Sequence, residues 1–243
     1  MTLVNLVTSS IHDVPLQRLP LIQRNPVGQP RYYWNEQRPE LRYSSITSIL
    51  SATQSEATKA ALRRWRAKII AEGGDPDETR DQAAKRGSAI HDWFEKFLLR
   101  DSPEIPDSIA PWCERIISSP IWKALDHVVC TEHQVCSDEG IVPFAGTLDA
   151  LIKLNGEFVL FDLKTKAPNK TKPTKQISDE AMCQMQAYRQ CLHENYGIQV
   201  NRFMALYVFP DQPAYPVAAA GKELERHETH WTQRITAYSL QNP

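Results

Sequence analysis

The chain of 243 residues predicts an α/β fold, and three observations carry that prediction. The apolar period is helical through the first half and shifts toward the strand period of 2 from about Val128 onward. An Asn155-Gly156 pair separates two apolar runs, a strong short-range signal for a two-residue hairpin. A helical stretch over about 178–196 then lies between the third and fourth strand-like runs.

Each element follows in order. Residues 1–42 hold Pro15, Pro20, Pro26, Pro30 and Pro39 without a sustained period, and read as an irregular arm lying on the domain. The stretch SSITSIL at 44–50 can cap and open a helix. Over about 56–72, Ala61, Leu62, Trp65, Ile69 and Ile70 recur at helical spacing and the opposite face is basic. Gly73-Gly74-Asp75-Pro76 breaks that helix, and a second one over about 81–100 sets Ile90, Trp93, Phe94, Phe97 and Leu98 on one stripe. A short helix is expected at 112–117, strands at 128–136, 144–154, 157–164 and 202–209, and a closing helix at 222–238. No shift in composition marks a boundary. Residues 43–243 therefore read as one domain, with a helical part at 43–127 and a sheet core at 128–243.

The composition is close to the globular average, which excludes wholesale disorder. Lys+Arg number 28 against 29 Asp+Glu, so any polyanion-binding face must be local. No apolar run approaches the roughly 18 residues of a spanning helix, and the first residues lack a signal-peptide pattern, so neither membrane insertion nor export is expected. Cys113, Cys130, Cys136, Cys183 and Cys191 form no CxxC pair, which fits a reducing cytoplasm better than a disulfide framework or a zinc ribbon.

The hairpin sets a register. With Asn155 and Gly156 in the turn, Leu154 faces Glu157, and counting back pair by pair brings Asp149 opposite Asp162 and Thr147 opposite Lys164. Directly opposed Cβ atoms lie about 4.5–5.5 Å apart, so the two carboxylates nearly touch. Their neighbours, among them Leu148, Leu151, Leu160 and Phe161, read as strands buried on both faces, where an unpaired anion is costly. Alternation puts Lys164 on the face of Asp162. One ammonium for two buried acids still leaves a negative site, which a divalent cation held by both compensates better. The same spacing also admits two solvated, inert acids near strand ends.

Two basic runs bear on the substrate. Lys59, Arg63, Arg64, Arg66 and Lys68 lie between Glu56 and Glu72 with Trp65 interleaved, and Lys164, Lys166, Lys170, Lys172 and Lys175 lie between Asp162 and Asp179. Neither run contains an acid. Each alone reads as a solvated face or loop, but the second begins at the candidate metal site, so a phosphate chain lying along it reaches the metal. Metal, lysine and phosphate together point to phosphodiester hydrolysis.

Asp149 followed by Asp162-Leu163-Lys164 resembles the signature of the PD-(D/E)XK nuclease superfamily. Within it the chain is most similar to the RecB-like exonucleases, among them the mitochondrial genome maintenance exonuclease family and related phage enzymes. SSITSIL resembles that family's Ser-x-Thr-x-x-Leu helix start, and RGSAIH at 86–91 its Arg-Gly-x-x-x-His helix. GTLD at 146–149 matches its Gly-x-x-Asp strand, and QMQAY at 184–188 its Gln-x-x-x-Tyr helix.

The resemblance implies a restriction-endonuclease-like core, a central mixed β-sheet flanked by helices. It implies that His91, Asp149, Asp162 and the Leu163 carbonyl hold Mg²⁺ or Mn²⁺, and that Lys164 is the catalytic lysine. Gln184 and Tyr188 share a helix face and would meet phosphate or orient that lysine. Ser44, Arg63, Arg64, Trp65, Arg66, Arg86, Lys166 and Lys170 are candidates to contact nucleic acid. By itself His91 reads as an ordinary packed or surface histidine. Only Cys191 follows Tyr188, so the iron-sulfur cluster of some relatives is not expected. The implied activity is metal-dependent hydrolysis of DNA from single-stranded or otherwise free ends, in replication, repair or recombination. An endonuclease on the same core and an inactive DNA-binding module are the alternatives, and the intact Asp149, Asp162 and Lys164 set argues against the second. The arm and the helix around Trp65 are expected to cover the metal, with Trp65 or Tyr33 stacking on unpaired bases.

Overall fold

The computed structural model describes residues 16–26, 29–168, 170 and 172–241. Among them eight strands build one sheet: β1 (Leu21–Arg24), β2 (Tyr32–Asn35), β3 (Arg42–Ser45), β4 (Leu125–Ser137), β5 (Phe144–Leu154), β6 (Glu157–Thr165), β7 (Arg202–Val208) and β8 (Tyr215–Ala220). Six α-helices flank it: α1 (Ile46–Ala52), α2 (Glu56–Ala71), α3 (Pro76–Leu98), α4 (Ala110–Ile117), α5 (Lys175–Tyr196) and α6 (Lys222–Gln241). The strand order is β1-β2-β3-β5-β6-β7-β8, with β4 on the remaining edge of β5. Pairs β3–β5 and β6–β7 are parallel and the others antiparallel, so the sheet is mixed, as expected.

The helices form two layers. Helices α1, α5 and α6 cover one face over Leu148, Leu160, Phe203 and Tyr207, and α3 and α4 cover the other over Ile152, Phe161, Leu163 and Val208. Asp75 caps α3 by accepting the N–H groups of Asp77 and Glu78, and Pro76 takes the first turn, where its missing donor costs nothing. That moves the start of α3 ahead of the expected residue 81. Its stripe of Ile90, Trp93, Phe94 and Leu98 is buried, each side chain contributing roughly 1.5–3 kcal/mol.

Four departures from that reading appear. Where it is described, the arm over 1–42 is not irregular, because 21–24 and 32–35 are strands; residues 1–15 and 27–28 lie outside the described residues. Strands of four residues are too short to show a period, and what holds them is burial of Tyr33 and Tyr43 with Ala145 and Cys136. Strand β3 also breaks the division into a helical part and a sheet part, since Ser44 and Ser45 pair in parallel with Phe144 and Ala145. Strand β8 was not anticipated; Pro216 argues against a central strand, and β8 lies at the sheet's edge. Finally, α2 forms with its apolar stripe uncovered: none of its residues is buried, and Leu62 and Ile70 are 50% and 62% exposed. Among the described residues no helix is long and apolar enough to cross a membrane.

Candidate active site

The turn forms as its residues demand. Asn155 and Gly156 adopt positive φ, 49° and 81°, and the ladder runs in the expected register from Leu154↔Glu157 to Ala150↔Phe161. There it stops. Asp149 and Asp162 do not pair through the backbone; instead Asp149 Oδ2 accepts the N–H of Leu163 at 2.7 Å. Strand β4 occupies one edge of β5 along its whole length, so β3 and β6 share the other, β3 at Phe144–Ala145 and β6 from Ala150. Strand β5 thus stands in a fork, with Gly146, Thr147, Leu148 and Asp149 along its open stretch. The expected pairing of Thr147 with Lys164 fails for the same reason.

Lys164 and Asp162 share a face, as alternation requires. Asp162 is 2% exposed, and its Oδ1 accepts the Lys164 ammonium at 2.9 Å. Its Oδ2 lies 2.8 Å from the same nitrogen but without hydrogen-bond geometry, which leaves it a buried, unsatisfied oxygen. Burial raises the Asp162 carboxyl, and Lys164 offsets only part of that. Burial alone lowers the Lys164 ammonium, yet Asp162 and Asp149 outweigh it and the net shift is upward, so the lysine stays charged. Lys164 also donates to Gln184 Oε1 at 3.1 Å, Gln184 Nε2 donates to the Tyr188 hydroxyl at 3.0 Å, and Tyr188 donates to the Thr147 carbonyl at 2.8 Å. Gly146 permits this chain, because a Cβ there would sit 2.7 Å from Tyr188 Cε1. A cavity of about 280 Å³ opens beside the lysine, walled by Thr47 and Ser51 of α1 and Gln54 just after it.

The acids meet a histidine on the far side of the fork. His91 Nδ1 lies 3.5 Å from Asp149 Oδ2 and 4.0 Å from Glu132 Oε1, and the three ligand atoms fall within 4.8 Å of one another. Glu132 is a residue that the sequence reading missed. The register brackets it opposite Asp149, between Thr131↔Ala150 and His133↔Leu148, and its φ of 42° lifts it out of the ladder. Burial and then the neighbouring Asp149 push its carboxyl up to about 7. Three carboxylates, one of them with an unsatisfied buried oxygen, and one imidazole suit a divalent cation, which would relieve their repulsion. The arrangement groups His91, Glu132 and Asp149 and turns Asp162 toward Lys164. In an extended strand the N–H and C=O of one residue point to the same side, so the Leu163 carbonyl faces Asp149 as its N–H does.

The remaining expected residues disperse. Ser44 donates to the Tyr238 hydroxyl at 3.3 Å, away from the acids, while its neighbour Ser45 meets Thr47 at 2.8 Å, and Arg31 donates to Thr47 at 3.2 Å. Arg63 and Arg64 are exposed on α2 and Trp65 is half-buried. Arg66 is held bidentately by Asp77 at 2.9 and 3.0 Å, so it braces α2 on α3. Tyr33 is 1% exposed and bonds Gln23 and Thr147, so it cannot stack on a base. Arg86, Lys166 and Lys170 line a common cavity at the end of β6.

A model of the PD-(D/E)XK nuclease superfamily matches residues 49–241. Mitochondrial genome maintenance exonuclease 1 of Homo sapiens is 24% identical over 205 residues, covering 80% of this chain and 58% of that protein. This chain therefore spans less than two thirds of that relative's length. Two crystal structures share 14% and 15% identity: SSO0001, with a TM-score of 0.42 over 79% of this chain and 74% of its own, and a candidate exonuclease from Eubacterium rectale, with 0.45 over 65% and 66%. The family match runs from within α1 to the end of α6 and takes in His91, Glu132, β5 and β6, so the chain belongs to the PD-(D/E)XK nuclease superfamily.

Proposed function

We propose that this chain is a Mg²⁺- or Mn²⁺-dependent deoxyribonuclease that degrades DNA from free, single-stranded ends, in replication, repair or recombination. The observation that supports it most is the fork itself, where Asp149 leaves the ladder beside His91 and Glu132 while Asp162 anchors a charged lysine. The name of the human relative favours an exonuclease over an internal cutter. His91, Asp149, Asp162 and the Leu163 carbonyl would hold the metal, with Glu132 beside His91 and Asp149. When bound, the cation supplies Lewis acidity and a more acidic water. Lys164, steadied by Asp162 and Gln184, places positive charge where the phosphate gains negative charge in the transition state. Tyr188 fixes Gln184 from behind. Arg86, Lys166 and Lys170 attract phosphate at the end of β6, and Arg63, Arg64 and Trp65 offer α2 as a cover. Five unpaired cysteines suit a reducing compartment such as the cytoplasm.

The test is to incubate linear and covalently closed circular single-stranded DNA of one sequence with Mg²⁺, Mn²⁺ or EDTA. Linear DNA should disappear while circles persist, and nothing should be cut in EDTA. Rapid loss of circles at equal enzyme moves the assignment to an endonuclease. Intact DNA in both metals leaves a binding module.

A further inference from the structure

The end of β6 opens on a second cavity, of about 300 Å³, between α3 and residues 165–167, 170 and 172–174. Arg86, Lys166, Lys170 and Lys172 line it, and among the described residues no Asp or Glu does. Some cations elsewhere find carboxylates: Arg66 meets Asp77, Arg226 meets Asp179 and Arg234 meets Glu180. These four have no such partner among the described residues. The Arg86 guanidinium lies 5.0 Å from the Trp112 ring centroid with its Nε buried and unsatisfied. The ammonium groups of Lys166 and Lys172 lie 5.3 and 4.5 Å from the ring centroids of Tyr207 and Tyr215. Trp112 is itself fixed, donating from Nε1 to the Lys166 carbonyl at 2.8 Å. Aromatic faces attract cations without neutralising them, so the cavity collects uncompensated positive charge. Burial, with Lys164 next along the face, holds the Lys166 ammonium below the ordinary lysine value.

Charge and register bear on what fits. A link within a DNA chain carries one negative charge and continues in both directions. A phosphate monoester carries about 1.5–2 charges and offers three oxygens, which suits four cations gathered round one volume better than a link passing through. Lys166 follows Lys164 by two residues, about 6.6 Å along a parallel strand, against a rise of about 3.4 Å per nucleotide in a duplex strand. A phosphate held there is about one to two nucleotides from the one beside Lys164. We propose that this cavity binds the terminal phosphate monoester of a DNA end, and so decides which ends are cut and how long the products are. The proposal rests on the nuclease reading above.

The experiment compares one oligonucleotide with a 5′-phosphate, a 5′-hydroxyl, a 3′-phosphate or a 3′-hydroxyl end, using the wild type and the Lys170→Ala/Lys172→Ala variant, both of whose positions are exposed. One phosphorylated series should show kcat/KM about 10-fold or more above its hydroxyl partner, the effect of one charge-assisted hydrogen bond. Its first products should be one or two nucleotides long, and in the variant the ratio should fall toward one. Equal rates at both termini overturn the pocket and leave the nuclease standing, and a preference that survives in the variant also overturns the pocket. If no substrate is cut in Mg²⁺ or Mn²⁺, the nuclease reading fails, and anisotropy in EDTA then judges the pocket: affinity indifferent to end phosphorylation removes it.

Discussion

The carboxylate of Asp149 accepts the backbone N–H of Leu163 at 2.7 Å and stands where a main-chain carbonyl would stand in an unbroken β5–β6 ladder. One hydrogen bond thereby satisfies a donor that the fork exposes and aims an acid at His91, 3.5 Å away. The end of the ladder and the start of the site are the same interaction.

Asp149→Asn keeps an oxygen that can accept from Leu163, so stability should change by no more than about 1 kcal/mol. Hydrolysis should vanish in either metal. DNA affinity in EDTA should hold or rise, since a negative charge near the phosphate is gone. Gel turnover and fluorescence anisotropy check this, and wild-type turnover by the variant would remove the metal from the reading.

Lys164→Ala should slow the chemical step by roughly 10²-fold, the usual loss for one preorganised charge. Gln184→Leu should cost less, about 10-fold, because Asp162 still holds the ammonium. Calorimetric Mn²⁺ titration should be unaltered in both. Lost Mn²⁺ binding in Lys164→Ala would make the lysine structural instead.

Gly146→Ala places a Cβ 2.7 Å from Tyr188 Cε1 and 3.0 Å from Ile46 Cδ1. Overpacking of this kind costs about 1–3 kcal/mol, and displacing Tyr188 disturbs its bonds to Thr147 and Gln184. Melting temperature and turnover should drop together. Gly87→Ala is the contrast: its Cβ would meet Thr165 Oγ1 at an ordinary 3.5 Å, so its melting temperature should stay near the wild-type value.

Arg63→Ala/Arg64→Ala should flatten the log-log salt dependence of single-strand binding by about 1.4 units if each arginine meets one phosphate. Arg66→Ala should leave the slope alone, because its guanidinium is committed to Asp77. Anisotropy across a KCl series distinguishes them, and an unchanged slope in the double variant returns α2 to a plain solvated face.

Acid sensitivity should come partly from His133 and His227, both buried. Burial first, and then Arg18 and Arg226 respectively, lower their affinity for a proton in the folded chain. Below about pH 6.5 the unfolded chain therefore binds protons that the folded chain does not. The stability they contribute is complete above that pH and is lost as pH falls through the folded values. Melting curves between about pH 7.5 and 5.5 should show a shallower decline in His227→Leu than in the wild type. Identical slopes would clear this histidine.

Much of the site was legible because local geometry determines it. Two positive-φ residues at 155 and 156 set the turn, the turn counts the register outward, and alternation then puts Asp162 and Lys164 on one face. Helical spacing likewise joined Gln184 to Tyr188 and buried the α3 stripe. Where the ladder stops was decided elsewhere, by β3 entering beside Phe144 and Ala145 from far earlier in the chain. Tyr33 and Tyr43 hold it there through burial that no local period announces. Glu132 reaches Asp149 only because the loop 138–143 closes Ser137 onto Phe144, and a loop of that length sets no register in advance. The apolar stripe of α2 showed which face is apolar but not whether anything covers it, because periodicity describes one helix and burial requires a second surface.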